Sequence, residues 1–372
     1  MTTFSWRRNL PLTALCLVAV FANRAAADPW PDELLKFYQM PLNNGLTPYL
    51  PVGSYPAPVP AGSGYGSIPS TAFFPGHDEL STARATAYQP GPNGPVPVAW
   101  SGTYMADDFA DYAGTPISHV RWWGSYIGQN TAQLKVKKFL ISFEHNVPES
   151  ISPAGAIIPS HPDPFHPGNL HQIVDLVPGI LPPPPGTFTE KFVPTPPAGP
   201  PPREPLMEYN AELHLNKWFF ERAATASVLD DVYWLKIVAL VDLQQDGPIE
   251  WGWHNRDWSI PNALAAKPGD TPDGAEHAIP GPGGGFPIWH FEDDAVTGDI
   301  HIFPGMSPIM PFVEQPTFFE TTYLPPWDGP TPIVQYSKDL AFELYTRVVP
   351  EPTSVMLLAT GLLLVAAGRR RG

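Results

Sequence analysis

Apolar and polar residues alternate along several stretches of this chain, and nowhere after its first residues do they follow a long helical period. Met207 to Leu215 alternates without exception, the pattern of a half-buried strand. Val232 to Val241 places Tyr233, Leu235, Ile237, Ala239 and Val241 on one face, with Val232, Trp234, Val238 and Leu240 on the other, broken only by Lys236. A strand apolar on both faces is expected to be central and covered on both sides. Leu340, Phe342 and Leu344 alternate with Ala341, Glu343 and Tyr345. Leu134 and Val136 fall out of phase with Phe139, Ile141 and Phe143, which predicts a bulge near Lys137 and Lys138. Asp32 to Met40 reads as one short helix.

Proline punctuates this pattern. The chain has 372 residues and 51 prolines, and the prolines are segregated. Val98 to Val147 holds one, Leu206 to Ile260 holds one, and Ile333 to Val349 holds none, whereas residues 148–205 hold 18 and residues 261–332 hold 14. Proline removes a backbone donor, so the poor blocks are expected to carry the sheet and the rich blocks to be loops, edges or polyproline stretches. The predicted fold is all-β, an antiparallel β-sandwich of jelly-roll-like type with long Pro-rich loops. Aromatic residues at 12% provide a substantial core.

The two ends read as addresses. Arg7 and Arg8, the apolar run from Leu12 to Ala22, and Ala25-Ala26-Ala27 form a signal peptide over residues 1–27. It contains Cys16, the chain's single cysteine, so no disulfide is expected in the exported protein. At the other end Pro350-Glu351-Pro352 precedes a mainly apolar run from Val355 to Ala367 and then Arg369, Arg370 and Arg371. Thirteen helical residues span about 20 Å against a hydrocarbon core of roughly 30 Å, a short span that flanking residues and snorkelling arginines would extend. The arginines are expected to stay on the cytoplasmic side. These three parts in this order resemble the PEP-CTERM sorting signal. That resemblance implies processing by exosortase, a membrane protease, with a transient C-terminal membrane helix and a link to exopolysaccharide or biofilm material.

The expected organisation is a signal peptide at 1–27, a Pro/Gly-rich extension at 28–75, the β-sandwich at 76–349 with insertions at 148–205 and 261–332, and the sorting signal at 350–372. Removing both ends shifts the formal charge from −15 towards −20, since 15 bases then face 35 acids. Such a surface repels nucleic acid and anionic lipid, and no basic stripe exists. Short motifs recur in order: His77 to Thr82, Met105 to Phe109, Trp122 to Tyr126, Pro167 to Leu170, Tyr233 to Ala239, Trp251 to Trp253, Asp293 to Ala295 and Asp339 to Leu344. Their order resembles an uncharacterised β-sandwich domain of bacterial secreted proteins, spanning Phe74 to Thr346. The resemblance brings no catalytic residue with it.

Three groups of residues offer chemistry. His161, Asp163, His166 and His171 form the densest histidine cluster, readable as zinc or copper ligands or as a proline-fixed turn. Asp107 and Asp108, like Asp293 and Asp294, are adjacent carboxylates that a strand would point to opposite faces. They read as acceptors of backbone hydrogen bonds, as calcium ligands, or as catalytic acids. Trp251, Trp253 and Trp258 suit either sugar stacking or core packing, and Trp122 and Trp123 must face opposite ways. No nucleophile elbow, zinc helix or phosphate cradle is present. The chain therefore reads as a non-enzymatic cell-surface or matrix protein with a structural or adhesive role and no cofactor. The alternatives are a carbohydrate-binding or calcium-dependent module, and a glycan-acting hydrolase on the same scaffold.

Overall fold

The computed structural model describes residues 33–41, 78–110, 114–127, 135–148, 150–155, 157–158, 160–179, 181–193, 206–221, 232–256, 276–279, 288–291, 295–303, 312–317 and 339–347. Its strands in chain order are β1 (Glu33–Gln39), β2 (Asp78–Leu80), β3 (Thr82–Gly91), β4 (Gly94–Phe109), β5 (His119–Tyr126), β6 (Lys138–Val147), β7 (Ser150–Ile151), β8 (Ile157–Ile158), β9 (His161–Asp163) and β10 (Leu170–Leu176). They continue with β11 (Thr187–Phe192), β12 (Met207–Glu212), β13 (Tyr233–Val241), β14 (Trp251–His254), β15 (Glu276–Ile279), β16 (Ile288–Phe291), β17 (Val296–Ile302), β18 (Phe312–Thr317) and β19 (Phe342–Arg347). Fifteen of these form one sheet, and β7–β8 and β15–β16 form two small hairpins.

The all-β expectation holds, but the sheet is mixed. Most pairs are antiparallel, whereas β10 runs parallel to β11 and β13 parallel to β3. The pairing also closes on itself. From β5 it passes through β12, β11, β10, β6 and β13 to β3. Strand β3 continues β2 through Ser81, β2 pairs with β14, and β14 returns to β5. Closing this circuit leaves fewer edges than an open sheet of these strands would present, and the sheet order ends at β1 and β18. Beyond it, β4 pairs with both β3 and β13, and β17 and β18 extend from β4.

One face of this sheet encloses a large aromatic core. Trp122, Tyr209, Phe139 and Phe188 pack with ring centroids 5.0–6.2 Å apart, and Trp251 meets Phe139 at 4.8 Å. Strand β13 is buried along its whole length, as its two apolar faces require. Leu235, Ile237 and Ala239 enter the main core, while Trp234, Val238 and Leu240 enter a second one with Tyr104, Leu140 and Ile300.

Four local expectations need correction. Residues 33–39 are strand β1 rather than helix, and they join the sheet beside β19 although the segment reads as an extension. Phe37 stacks on Phe342 at 5.3 Å and is fully buried, so tertiary packing overrides a weak local preference. The phase break near Lys137 and Lys138 marks the start of β6, with Val136 just outside it in the core; the register shifts fall in the β3–β4 pair around Ala85, Ala87 and Tyr88. Residues 148–205 are not all connection, because β10 and β11 lie well inside the sheet order. Their own residues contain no proline, and the prolines flank them. Finally, β12 is buried on both faces instead of half-buried.

Candidate functional site

Strand β19 ends at Arg347, three residues before Pro350. The sorting residues Pro350, Glu351, Pro352, Arg369, Arg370 and Arg371 lie outside the described residues, as do the signal peptide, Trp258, Asp293 and Asp294. Among the described residues no helix is long and apolar enough to cross a membrane.

The histidine cluster does not come together. His161 pairs across β9 with Val147, and Asp163 Oδ1 accepts the Phe165 N–H at 3.0 Å to start a turn. His166 stacks on His145 with ring centroids 3.6 Å apart, while its Nδ1 accepts the Gly168 N–H. His171 lies on β10 with Ser142 across the sheet, 2.6 Å from its hydroxyl. No group of three or more metal-ligating side chains forms among the described residues.

Trp251 and Trp253 are fully buried, so neither offers a ring face to a sugar. Trp251 Nε1 donates to the Tyr209 hydroxyl at 3.0 Å and Trp253 Nε1 to the Ala341 carbonyl at 2.9 Å. Trp122 and Trp123 face opposite ways: Trp122 enters the main core, and Trp123 packs outside with Leu206 and Ala341.

Asp107 and Asp108 also split across β4, with Asp107 in the interior. Its Oδ2 accepts from the Leu340 N–H at 2.6 Å and its Oδ1 from the Asp108 N–H at 3.0 Å. Gln39, its amide nitrogen turned towards Asp107, donates to Oδ2 at 2.8 Å. Asp339 lies nearby, held by Arg256 at 2.8 Å and by the Phe291 N–H at 2.9 Å. Burial, reinforced by the charge of Asp339, pushes Asp107 well above the usual carboxylate range. Two carboxylates converge here, but inside the core and committed to backbone donors and an arginine.

Two further polar networks lie on the sheet face turned away from the main core. In the first, Lys236 Nζ donates to Glu144 Oε1 at 2.8 Å, Ser142 Oγ donates to the same oxygen at 2.6 Å, and His171 meets Ser142. Both charged side chains are fully buried, and Lys236 lies 4.3 Å from the centroid of the Tyr104 ring. Among the described residues, Glu144 Oε2 and the Tyr104 hydroxyl have no hydrogen-bond partner. Burial lowers Lys236 to about 8 despite Glu144, and lowers His171 to about 4. In the second network Arg121 bridges Glu208 at 2.7 Å and Glu343 at 3.1 Å, and its guanidinium lies 5.0 Å from the Trp123 ring. Burial works against the charge of Arg121, but Glu343 and Glu208 outweigh it and hold the guanidinium protonated. Tyr345 donates to Glu343 at 2.5 Å and stacks on His119, and Asn210 donates to Glu208 at 3.1 Å.

Sequence reasoning did not single out Arg121, Glu208, Glu343 or Glu144. Their signal was opposite charges sharing one strand phase, legible only once the neighbouring strands are known. Lys236 did stand out, as the one break in an apolar face.

A model of a domain of unknown function, DUF7901, matches residues 86–282, just over half of the chain. The chain belongs to the DUF7901 family. Within that match lie most of the closed circuit and the Lys236–Glu144 pair. A second match, to the PEP-CTERM protein-sorting motif, covers residues 348–371. This DUF7901 protein is accordingly an exported one, sorted to the cell surface, and its motif implies processing by exosortase. No curated protein and no solved structure matches the chain.

Proposed function

We propose that this DUF7901 protein is a non-enzymatic structural or adhesive component of the cell surface or extracellular matrix, acting in contact with exopolysaccharide. The observation that carries the reading is where the charged side chains go. Arg121, Lys236, Arg256 and their carboxylate partners are engaged with one another in buried pairs that rigidify the sheet. A single large mixed sheet, braced by such pairs, suits a durable scaffold without disulfides.

A glycan-acting hydrolase would need two accessible carboxylates at a working separation. The converging pair Asp107 and Asp339 is buried beside Arg256, which favours the scaffold reading. The test is to delete the gene in its host and measure polysaccharide retained at the surface. The expected result is reduced retention, restored by the wild-type chain. Unchanged retention, together with release of reducing sugar from matrix polysaccharide by the purified protein, would replace this reading with the hydrolase.

A further inference from the structure

The last strand of the sheet and the sorting motif are nearly contiguous. Strand β19 ends at Arg347, and only Val348 and Val349 separate it from Pro350. Two residues of fully extended chain reach about 7 Å. Strand β19 lies inside the sheet order, between β1 and β5, with Phe342 and Leu344 fully buried. Its final residue is clasped: Arg347 Nη2 donates to Glu212 Oε2 at 3.0 Å, and the glutamate side chain is 1% exposed.

A protease that reads a linear motif takes its substrate as extended chain, pairing the backbone with a groove. The backbone immediately before the motif is already paired with the sheet. Stripping the whole of β19 would expose its apolar residues and is too costly to be the working route. Fraying its last residues costs far less, because terminal pairs open locally at a small fraction of global stability.

We propose that the end of β19, held by the Arg347–Glu212 clasp, is a built-in brake on removal of the sorting tail. This inference rests on the exosortase assignment. The protease acts on the minor population whose β19 terminus has frayed, so the length of free chain before Pro350 sets the processing rate. Because β19 is the last strand in sequence among the described residues, the sheet completes only after the whole domain has been exported. By the same logic a chain whose β19 has not yet paired loses its tail faster than the folded protein.

The experiment uses the full chain, expressed with an exosortase in a Gram-negative host, with loss of the tail followed by pulse-chase. One variant inserts Gly-Ser-Gly-Ser-Gly-Ser between Arg347 and Val348, leaving β19 itself intact. The others are Arg347→Ala and Glu212→Gln. The insertion is expected to speed processing by about fivefold or more, since it supplies free chain without opening the strand. The clasp variants are expected to speed it about twofold to fivefold, the population shift that loss of a partly exposed ion pair produces. A purely structural role for the clasp would lower the melting temperature of those two variants and leave the insertion variant at the wild-type rate. An insertion variant no faster than wild type overturns the proposal, as do clasp variants that process at the wild-type rate. A wild-type chain that is never processed overturns the exosortase assignment along with it.

Discussion

Replacing Lys236 by Met isolates a fully buried ion pair of the sheet. Lys236 and Glu144 are both fully buried, 2.8 Å apart, with Tyr104, Trp234, Val238 and Leu140 around them. Removing the lysine leaves Glu144 with Ser142 as its remaining described donor. An uncompensated buried charge of this kind costs about 3–5 kcal/mol. Replacing Glu144 by Leu as well removes the stranded charge, and the double variant is expected within about 2 kcal/mol of wild type. Urea unfolding followed by tryptophan fluorescence reads both, since Trp234 sits beside the pair. For a slope near 3 kcal/mol/M, the single variant should lower the midpoint by roughly 1 M or more. Lys236 adds a pH signature. Its folded value of about 8 lies below its ordinary 10.5, so the unfolded state binds more protons between these values. Stability should therefore rise from about pH 8 to pH 10 relative to the Lys236→Met variant. A single variant costing under about 1 kcal/mol, or a double variant costing the sum of both singles, would refute the coupled-pair account.

Three further outcomes follow from the same structure. His171 is held near 4 instead of 6.5, chiefly by burial, so it contributes stability above about pH 6.5 that is lost as pH falls towards 4. Thermal melts should show that loss, up to about 3 kcal/mol, and His171→Leu should flatten it. Gly102→Ala should destabilise by about 2–3 kcal/mol in urea, because an added Cβ would lie 2.1 Å from the Thr82 carbonyl oxygen and 2.7 Å from Ala83 Cα, both backbone atoms of β3. Arg121→Met should cost about 3–5 kcal/mol by leaving Glu208 and Glu343 together without their shared cation. Arg121 and Asn210 hold Glu208 below its ordinary value against the opposing effect of burial. The Arg121 contribution is lost in that variant while Asn210 remains, so Glu208 should move up in its acid titration.

What the sequence showed depended on how local the cause was. Strand β13 was legible because two apolar faces leave no other reading, and its one anomaly, Lys236, turned out to be the centre of a buried network. Strand β12 was placed correctly, but its polar face looked solvent-exposed. Glu208, Asn210 and Glu212 are buried by partners on β5 and β19 that no pattern within residues 207–212 can reveal. Strand β1 was misread as helix because its pairing partner lies some three hundred residues away in β19. Proline density misled over 148–205, where the prolines bracket β10 and β11 without entering them. For the tryptophans, spacing left core and ligand readings open. Hydrogen bonds from Trp251 to Tyr209 and from Trp253 to Ala341 place both in the interior. The sorting tail was fully legible, since its information is linear.

The most direct test of a surface scaffold delivered by its tail is the mass of the protein recovered from the outside of intact cells. The expected species begins near Asp28 and ends upstream of the apolar run at Val355, without Arg369, Arg370 and Arg371. Recovery only from the cytoplasm, or a surface form that retains those three arginines, would contradict it.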